Sequence, residues 1–389
     1  MDKSKWEYKK LGDLCTKLTD GSHNPPKGID DSDYRMISSQ NIFNDRIELS
    51  DYRCLSKEDF EVENKRTTLK RGDLLLTIVG AIGRCYVLNG SEGNLTLQRS
   101  VAALTPKDNV ISRYLMYYFI GNNAKLIEEA HGVAQKGIYL KQLRNFIVPV
   151  PTLSDQQRIV AELDCLNEMI AVKQEQLKEF DKLAQSIFYD MFGDPITNEK
   201  GWRVDVLNSV CDVRDGTHDS PKYVEDGYPL ITSKNVVEGG ISFDDVNYIS
   251  EDDLNAINAR SRVDDGDIIM PMIGTIGKPV IVHKDREFAI KNVALIKFEM
   301  SKVVLNIFIQ SLLNSSTYSN YILSLNRGGT QKFVSLKTIR NLPIILPPLA
   351  LQKQFAEKIQ AIEAQKELVK KSIAETQQLL DSRMDYYFD

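Results

Sequence analysis

Laid against itself with a shift of about 195 residues, the 389-residue chain keeps meeting its own motifs, so it must fold as one unit built twice. Trp6 falls on Trp202 and Cys15 on Cys211. Asp20-Gly21-Ser22-His23 meets Asp215-Gly216-Thr217-His218, with Pro26-Lys27 meeting Pro221-Lys222. Gly72-Asp73, Gly80, Ile82 and Gly83 find Gly266-Asp267, Gly274, Ile276 and Gly277. Gln135-Lys136 meets Gln331-Lys332, and Leu143-Arg144-Asn145-Phe146 meets Ile339-Arg340-Asn341-Leu342. Two periods use up nearly the whole chain, which excludes a long solenoid. Whatever the protein does, it does at two places.

No apolar stretch approaches the roughly 18 residues needed to cross a bilayer. The segment Met1 to Trp6 lacks the apolar core of a signal peptide, so the expected location is the cytoplasm and no membrane partner is expected. Five cysteines lie far apart with no Cys-x-x-Cys pair, which argues against disulfides and zinc and for buried free thiols. The net charge of -5 disfavours nucleic acid only until it is divided by region. Residues 154–192 hold four basic and eight acidic side chains, residues 350–389 hold six and seven, and the remainder is balanced. A local cluster of cations would have to do any DNA binding.

Each period divides into a globular part and a long helix. The break is marked by Pro149-Val150-Pro151 and by Pro347-Pro348, through which helices cannot run and after which they often begin. Beyond it, Ile159, Leu163, Leu166, Ile170, Leu177, Phe180, Ala184, Ile187 and Met191 lie three or four apart, interrupted by Lys173. The second stripe runs Phe355, Ile359, Ile362, Lys366, Val369, Ile373, Thr376, Leu380, Arg383 and Tyr387. About 39 residues at 1.5 Å each make a rod of roughly 58 Å. Two such stripes in one chain most simply pack on each other. A pseudo-twofold relation between the copies makes the rods antiparallel, with a globular domain at each end. The polar gaps at Lys173, Lys366, Thr376 and Arg383 call for further partners to cover them.

The globular parts read as mixed α/β. Leu74 to Val79 and Ile268 to Ile273 are apolar runs fit for buried strands, each closed by a Gly-x-Ile-Gly turn. Further strands are expected at Cys85 to Leu88, Val101 to Leu104, Val280 to His283 and Val293 to Phe298, and helices at Arg113 to Glu129 and Val303 to Leu323. The expected division is therefore a domain at 1–150, a helix at 151–193, a second domain at 194–346 and a second helix at 347–389.

Nothing in the sequence commits to catalysis. Asn24-Pro25-Pro26-Lys27 is similar to the Asn-Pro-Pro-aromatic motif of amino methyltransferases, but Lys27 stands where that chemistry needs a ring to stack on a flipped base. The second copy reads Asp219-Ser220-Pro221-Lys222, so a turn is the better reading. There is no glycine-rich loop for S-adenosylmethionine and no phosphate-binding Gly-Lys-Ser/Thr run. His23, His131, His218 and His283 have no metal-ligand spacing. A self-contained methyltransferase or nuclease using Asp20, His23 and Asn24 is the enzymatic alternative, and a structural adaptor that binds protein is the other.

The copies agree best at turns rich in side chains that bond to phosphates and base edges. Ser38-Ser39-Gln40-Asn41 matches Thr232-Ser233-Lys234-Asn235. Arg84 and Lys278 follow the glycine turns, Gln98-Arg99 matches Lys291-Asn292, and Gln135-Lys136 matches the Gln331-Lys332 that follows Thr330. His218 and Lys222 complete the candidate DNA-binding set. Four such segments, repeated in order with different residues, suggest one scaffold reading two sequences.

The combination resembles the specificity subunit of type I restriction-modification systems. The resemblance rests on Gly-Asp followed by apolar residues and Gly-x-Ile-Gly, on Arg327-Gly328-Gly329-Thr330-Gln331-Lys332, on the proline break and on Gln156-x-x-Ile159-Val160 opening a long helix. Copy one departs at Val133 and Ala134, where Gly and Thr stand in copy two. It implies two mixed α/β target-recognition domains separated by two long antiparallel coiled-coil helices, each domain reading half of a split double-stranded DNA target. It also implies a subunit without catalysis of its own, docked to two methyltransferase subunits and joined by restriction-translocase subunits. S-adenosylmethionine, ATP and Mg would belong to those partners.

Overall fold

The computed structural model of the protein describes residues 3–131, 136–237, 239–272, 278–299, 301–325 and 333–388. The chain divides into two compact units, residues 1–173 with 371–389, and residues 174–370. Each unit contains part of both long helices.

In the first unit, strands β1 (Glu7–Lys10), β2 (Cys15–Asp20), β3 (Tyr34–Ile37) and β4 (Arg53–Cys54) precede helix α1 (Lys57–Thr67). Then come β5 (Leu74–Thr77), β6 (Cys85–Val87), β7 (Asn94–Leu97), β8 (Val101–Pro106), α2 (Ser112–Gly121), β9 (Ile147–Val150) and the 40-residue α3 (Leu153–Phe192). A four-stranded antiparallel sheet has the order β2-β8-β5-β6. A three-stranded sheet has the order β4-β3-β7, with β3 and β7 parallel, and β1 pairs with β9.

The second unit repeats this topology. Its elements are β10 (Arg203–Val206), β11 (Asp212–Asp215), β12 (Tyr228–Ile231), β13 (Asn247–Ile249), α4 (Glu251–Ser261), β14 (Ile268–Pro271), β15 (Val280–Ile281), β16 (Ala289–Ile290), β17 (Val293–Lys297), α5 (Asn306–Asn314), β18 (Pro343–Leu346) and the 40-residue α6 (Leu349–Phe388). The sheets run β11-β17-β14-β15 and β13-β12-β16, with β12 and β16 parallel, and β10 pairs with β18. Even the register agrees. Leu104 sits between Leu18 and Leu74, as Ile296 sits between Val213 and Ile268.

Buried polar groups explain the motifs that the copies share. Gly72 (φ 88°) and Gly266 (φ 82°) turn the chain into β5 and β14 through a left-handed conformation that glycine adopts without strain. The aspartate that follows is sealed in and needs a cation. Asp73 accepts from Lys17 Nζ on β2 (3.2 Å) and from Thr105 Oγ1 on β8 (2.6 Å), whereas Asp267 accepts from Lys297 Nζ on β17 (2.7 Å). Lys297 occupies the position of Thr105, and Asp212 that of Lys17. The same carboxylate is thus met by a lysine from the adjacent strand β17 in the second unit and from β2, one strand further on the same side, in the first.

The helices expected at 113–129 and 303–323 each break once. Asn122 turns its Nδ2 onto the Tyr118 carbonyl (3.0 Å), and Ser315, in an extended conformation, donates Oγ to the Leu312 carbonyl (2.7 Å). Such short polar side chains compete with helical bonds. The thiol reading holds for Cys15, Cys85 and Cys211 but not for all five, because Cys54 is half-buried and Cys165 is exposed. Burial pushes the Cys15 thiol up to about 12.

The long helices are pinned at their starts by glutamine. Gln156 accepts from Ile111 N (2.9 Å) and donates to the carbonyls of Asn109 and Pro151, each at 3.1 Å. Gln352 accepts from Leu305 N (2.9 Å) and donates to the carbonyls of Val303 and Pro347, each at 2.9 Å. Both side chains are fully buried. The apolar stripe then enters the core. Ile159, Leu163, Leu166 and Ile170 join Leu380, Met384, Tyr387 and Phe388 in the first unit. In the second, Phe188 and Phe192 meet Phe308 and Phe355 with ring centroids 4.9–6.0 Å apart.

The polar gaps are closed from within the pair, contrary to the expectation that partners must cover them. Lys173 Nζ donates to Ser372 Oγ (2.8 Å) and Thr376 Oγ1 (2.9 Å), and Arg383 and Tyr387 both hold Glu162. Lys366 Nζ donates to Asp181 (2.7 Å) and Glu363 (2.9 Å). The pairing of 162 with 383 and of 173 with 372–376 runs antiparallel in the first unit, as does that of 181 with 366 and of 188 with 355 in the second.

Replacing Gln352 by leucine removes the partners of Leu305 N–H and of the Val303 and Pro347 carbonyls, at about 1–3 kcal/mol for a group left buried and unsatisfied. Amide exchange at Leu305 should accelerate by at least tenfold in Gln352→Leu; unchanged protection would show that the glutamine does not anchor the helix.

Candidate nucleic-acid interface

In each unit the Asp-Gly turn is pressed against the neighbouring parallel sheet. Gly21 donates its N–H to Val101 O (3.2 Å), and a Cβ on it would lie 2.0 Å from Leu97 O. On Gly216, bonded to Val293 O (3.0 Å), a Cβ would lie 2.3 Å from Ile290 O. Only glycine lets the backbone approach this closely. The approach delivers the preceding aspartate and the histidine two residues on to one place.

That aspartate bridges a histidine and an arginine in both units. Asp20 accepts from His23 Nε2 (2.8 Å) and from Arg66 in the last turn of α1. Asp215 accepts from His218 Nε2 (2.8 Å) and from Arg260 Nη2 (2.8 Å) in the last turn of α4. Sequence reading missed both arginines and the helices that carry them. A signal was present, since Ser56 and Ser250 cap those helices by accepting from Asp59 N (3.0 Å) and Asp253 N (3.1 Å), the Ser-x-x-Asp signature of a helix start.

In the second unit His218 Nδ1 lies within hydrogen-bond distance of Asn292 Oδ1 (2.9 Å). The Asn292 and Asp215 bonds raise the imidazole's pKa above the ordinary histidine value, favouring its protonated form. The amide also occupies the nitrogen that would activate a nucleophile in a hydrolytic triad. Nearby, Lys291 Nζ donates to Ser220 Oγ (2.6 Å), Ser233 Oγ to the Asn292 carbonyl (3.4 Å) and Lys234 Nζ to Asp245 (2.8 Å), while Lys222 is exposed. Hydrogen bonds thus join His218 to Asn292, Asn292 to Ser233 and Lys291 to Ser220.

In the first unit the corresponding face is a groove of about 670 Å³. Ser39, Gln40, Gln98, Arg99 and Ser100 line it together with Asp51, Tyr52 and Arg53. Its frame is fixed by backbone bonds: Arg99 N donates to Ser22 O (2.8 Å), Gln98 N to Ile37 O (2.8 Å) and Ser39 N to Ser100 Oγ (3.1 Å). Lys136 is exposed beside Gly137, which pairs with Val79 on the groove wall.

Three candidates serve their own scaffold instead. Asn41 is buried, accepting from Ser38 N (2.9 Å) and donating to the carbonyls of Glu48 (3.0 Å) and Asp51 (2.5 Å). Asn235 does the same with Thr232 N (3.0 Å) and Asp245 O (2.9 Å). Arg84 lies with its guanidinium 5.0 Å from the Phe43 ring centre. Lys278 is exposed. Gln135, Thr330, Gln331 and Lys332 lie outside the described residues, as does the second glycine turn. Among the described residues no group of three His, Cys, Asp or Glu side chains could hold a metal.

The family profile described as the type I restriction modification DNA specificity domain matches residues 3–181 and again residues 199–378, one match per repeat. The chain belongs to this family. Among relatives of the specificity-subunit family, the EcoBI specificity subunit of Escherichia coli is 28% identical over 177 residues, which is 44% of this chain and 36% of that one. The MjaVIII specificity subunit of Methanocaldococcus jannaschii is 24% identical over 324 residues, 78% of this chain and 75% of that one. The fold is shared with the S subunit from M. genitalium, at a TM-score of 0.54 with 14% identity, covering 97% of this chain and 95% of that one. It is also shared with a chain from a structural study of type I assembly and conformational transition, at a TM-score of 0.60 with 16% identity, covering 98% and 97%. Each match spans a globular part and most of the long helix that follows it.

The raised His218 pKa fixes the sign of its pH dependence. Its contribution to folding is fully present below the unfolded histidine value near 6.5 and fades as pH rises through the higher folded value. An NMR titration should place the His218 midpoint above that of an unstructured histidine, and Asn292→Ala or Asp215→Asn should lower it. A midpoint indifferent to both substitutions would remove the bridge.

Proposed function

We propose that this specificity subunit reads a split double-stranded DNA target, one half with each unit, and directs the methyltransferase and restriction subunits of a type I enzyme to it. The observation that carries this reading is a scaffold repeated down to its hydrogen bonds whose outward side chains differ. Gln40, Gln98 and Arg99 stand in one unit where Lys234, Lys291 and Asn292 stand in the other. Shared scaffold with divergent polar surface is what two half-sites of different sequence require.

The helices offer the docking surface for two methyltransferase subunits. Val172 and Leu183 on α3 and their repeat counterparts Leu368 and Leu379 on α6 are 62%, 47%, 61% and 51% exposed. They lie outside the internal seam, at equal spacing on both helices. S-adenosylmethionine is then bound by the methyltransferase subunits, and ATP and Mg by the restriction-translocase subunits. The complex works in the cytoplasm, and no helix of the described residues is long and apolar enough to cross a membrane.

With the assembled methyltransferase, methylome sequencing should reveal one split adenine motif that disappears when this subunit is deleted, and inserting two base pairs into its spacer should sharply reduce methylation. Indifference to spacing would overturn the bipartite reading. DNA affinity should also fall steeply with salt as phosphate-bound counterions are released; salt-independent binding would favour a protein-binding adaptor. Val172→Glu with Leu368→Glu should weaken methyltransferase assembly while leaving the fold intact, and full assembly by that variant would place the docking surface elsewhere.

A further inference from the structure

The two reading faces differ in how their side chains are occupied, and the difference falls at repeat-equivalent positions. In the second unit Lys234 is paired with Asp245, Lys291 with Ser220 and Asn292 with His218. The first unit places Gln40, Asp51, Gln98 and Arg99 at the matching sites. Asp51 is identified as the counterpart of Asp245 because Asn41 and Asn235 donate to their respective backbone carbonyls. Within the described residues, neither the Arg99 guanidinium nor the Asp51 carboxylate nor the Gln40 amide has a hydrogen-bond or ionic partner. All three line one groove on a frame held by backbone bonds.

We propose that the first unit reads a G·C step in its half-site, with Arg99 donating to guanine O6 and N7 and Asp51 accepting from the cytosine amino group; this rests on the DNA-reading function above. The argument is one of complementarity. A guanidinium fork matches the paired acceptors of guanine in the major groove, and a carboxylate matches the cytosine N4 donor. A site built for phosphate alone would gather cations and backbone N–H groups, whereas this groove is also lined by the Asp51 carboxylate, which repels a phosphate and can accept from a base amino group. The turn carrying Arg99 is fixed at Gln98 N and Arg99 N, so the fork is presented from an ordered base. In the second unit the amide that replaces Arg99 is held by His218, and the aspartate is neutralised by Lys234. At these positions that face has no unpaired carboxylate and guanidinium with which to read the same step.

The test is the methylation motif of the assembled enzyme carrying Arg99→Ala, Arg99→Lys or Asp51→Asn, with wild type alongside. One half of the wild-type motif should contain a G·C pair. Arg99→Ala and Arg99→Lys should each relax discrimination at that pair by roughly tenfold to a hundredfold, the lysine failing because it keeps charge but loses the fork. Asp51→Asn should relax the same pair or its neighbour. The other half-site, read by the second unit, should stay unchanged in every variant, which reports intact folding and assembly. Two results would overturn the inference: a motif without G·C in the affected half, or an Arg99→Ala enzyme weakened equally on all sequences with its salt slope reduced by about 1, the mark of a phosphate contact. If wild type recognises no split motif at all, the function itself fails, and that outcome is distinct from either.

Discussion

The fully buried glutamine at the start of each long helix is the interaction on which the architecture depends. A helix leaves its first N–H groups and the chain leading into it unsatisfied, and a 40-residue rod joined to a domain only by a proline-rich strand would otherwise swivel. One amide in the first turn accepts from the domain and donates to two of its carbonyls, so three bonds of fixed direction set the angle at which the rod departs. The apolar stripe continues into the core of the unit and meets the antiparallel rod there. The seam lysines then find hydroxyls and carboxylates instead of lipid-like surface.

The reading faces inherit their rigidity from the same source. Strand pairings within each sheet bring the Asp-Gly turn, the Ser-rich turn and the tip between β7 and β8 together, and glycine permits the contact. The side chains that hold these turns are largely not the ones that point outward. Asn41 and Asn235 are polar, repeated and adjacent to reading residues, yet both are consumed by their own loops. Repetition in this chain therefore marks scaffold, and divergence marks recognition.

Much of this was legible beforehand. The duplication, the buried strands after Gly-Asp, the proline breaks and the two rods all follow from periodicity and backbone chemistry that act over a few residues. What stayed hidden depends on long-range pairing. Arg66 and Arg260 reach aspartates 46 and 45 residues away, and Lys173 meets hydroxyls about two hundred residues along the chain. The polar gaps were visible in the stripe, but their partners lay on the other rod, where local spacing gives no hint of register. Asn41 was misread because an amide that caps a loop and one that reads a base look alike as letters.

The lysine that meets the buried Gly-Asp aspartate comes from the edge strand β2 in the first unit and from the inner strand β17 in the second. A hybrid that joined β2 of the first unit to β14 and β17 of the second would bring two lysines to one carboxylate, and the reciprocal hybrid would bring none. Either leaves a buried charge imbalance in the centre of a sheet. Recombination that reshuffles specificity must therefore cut outside the sheet and carry it across entire. The two halves are incompatible as fragments.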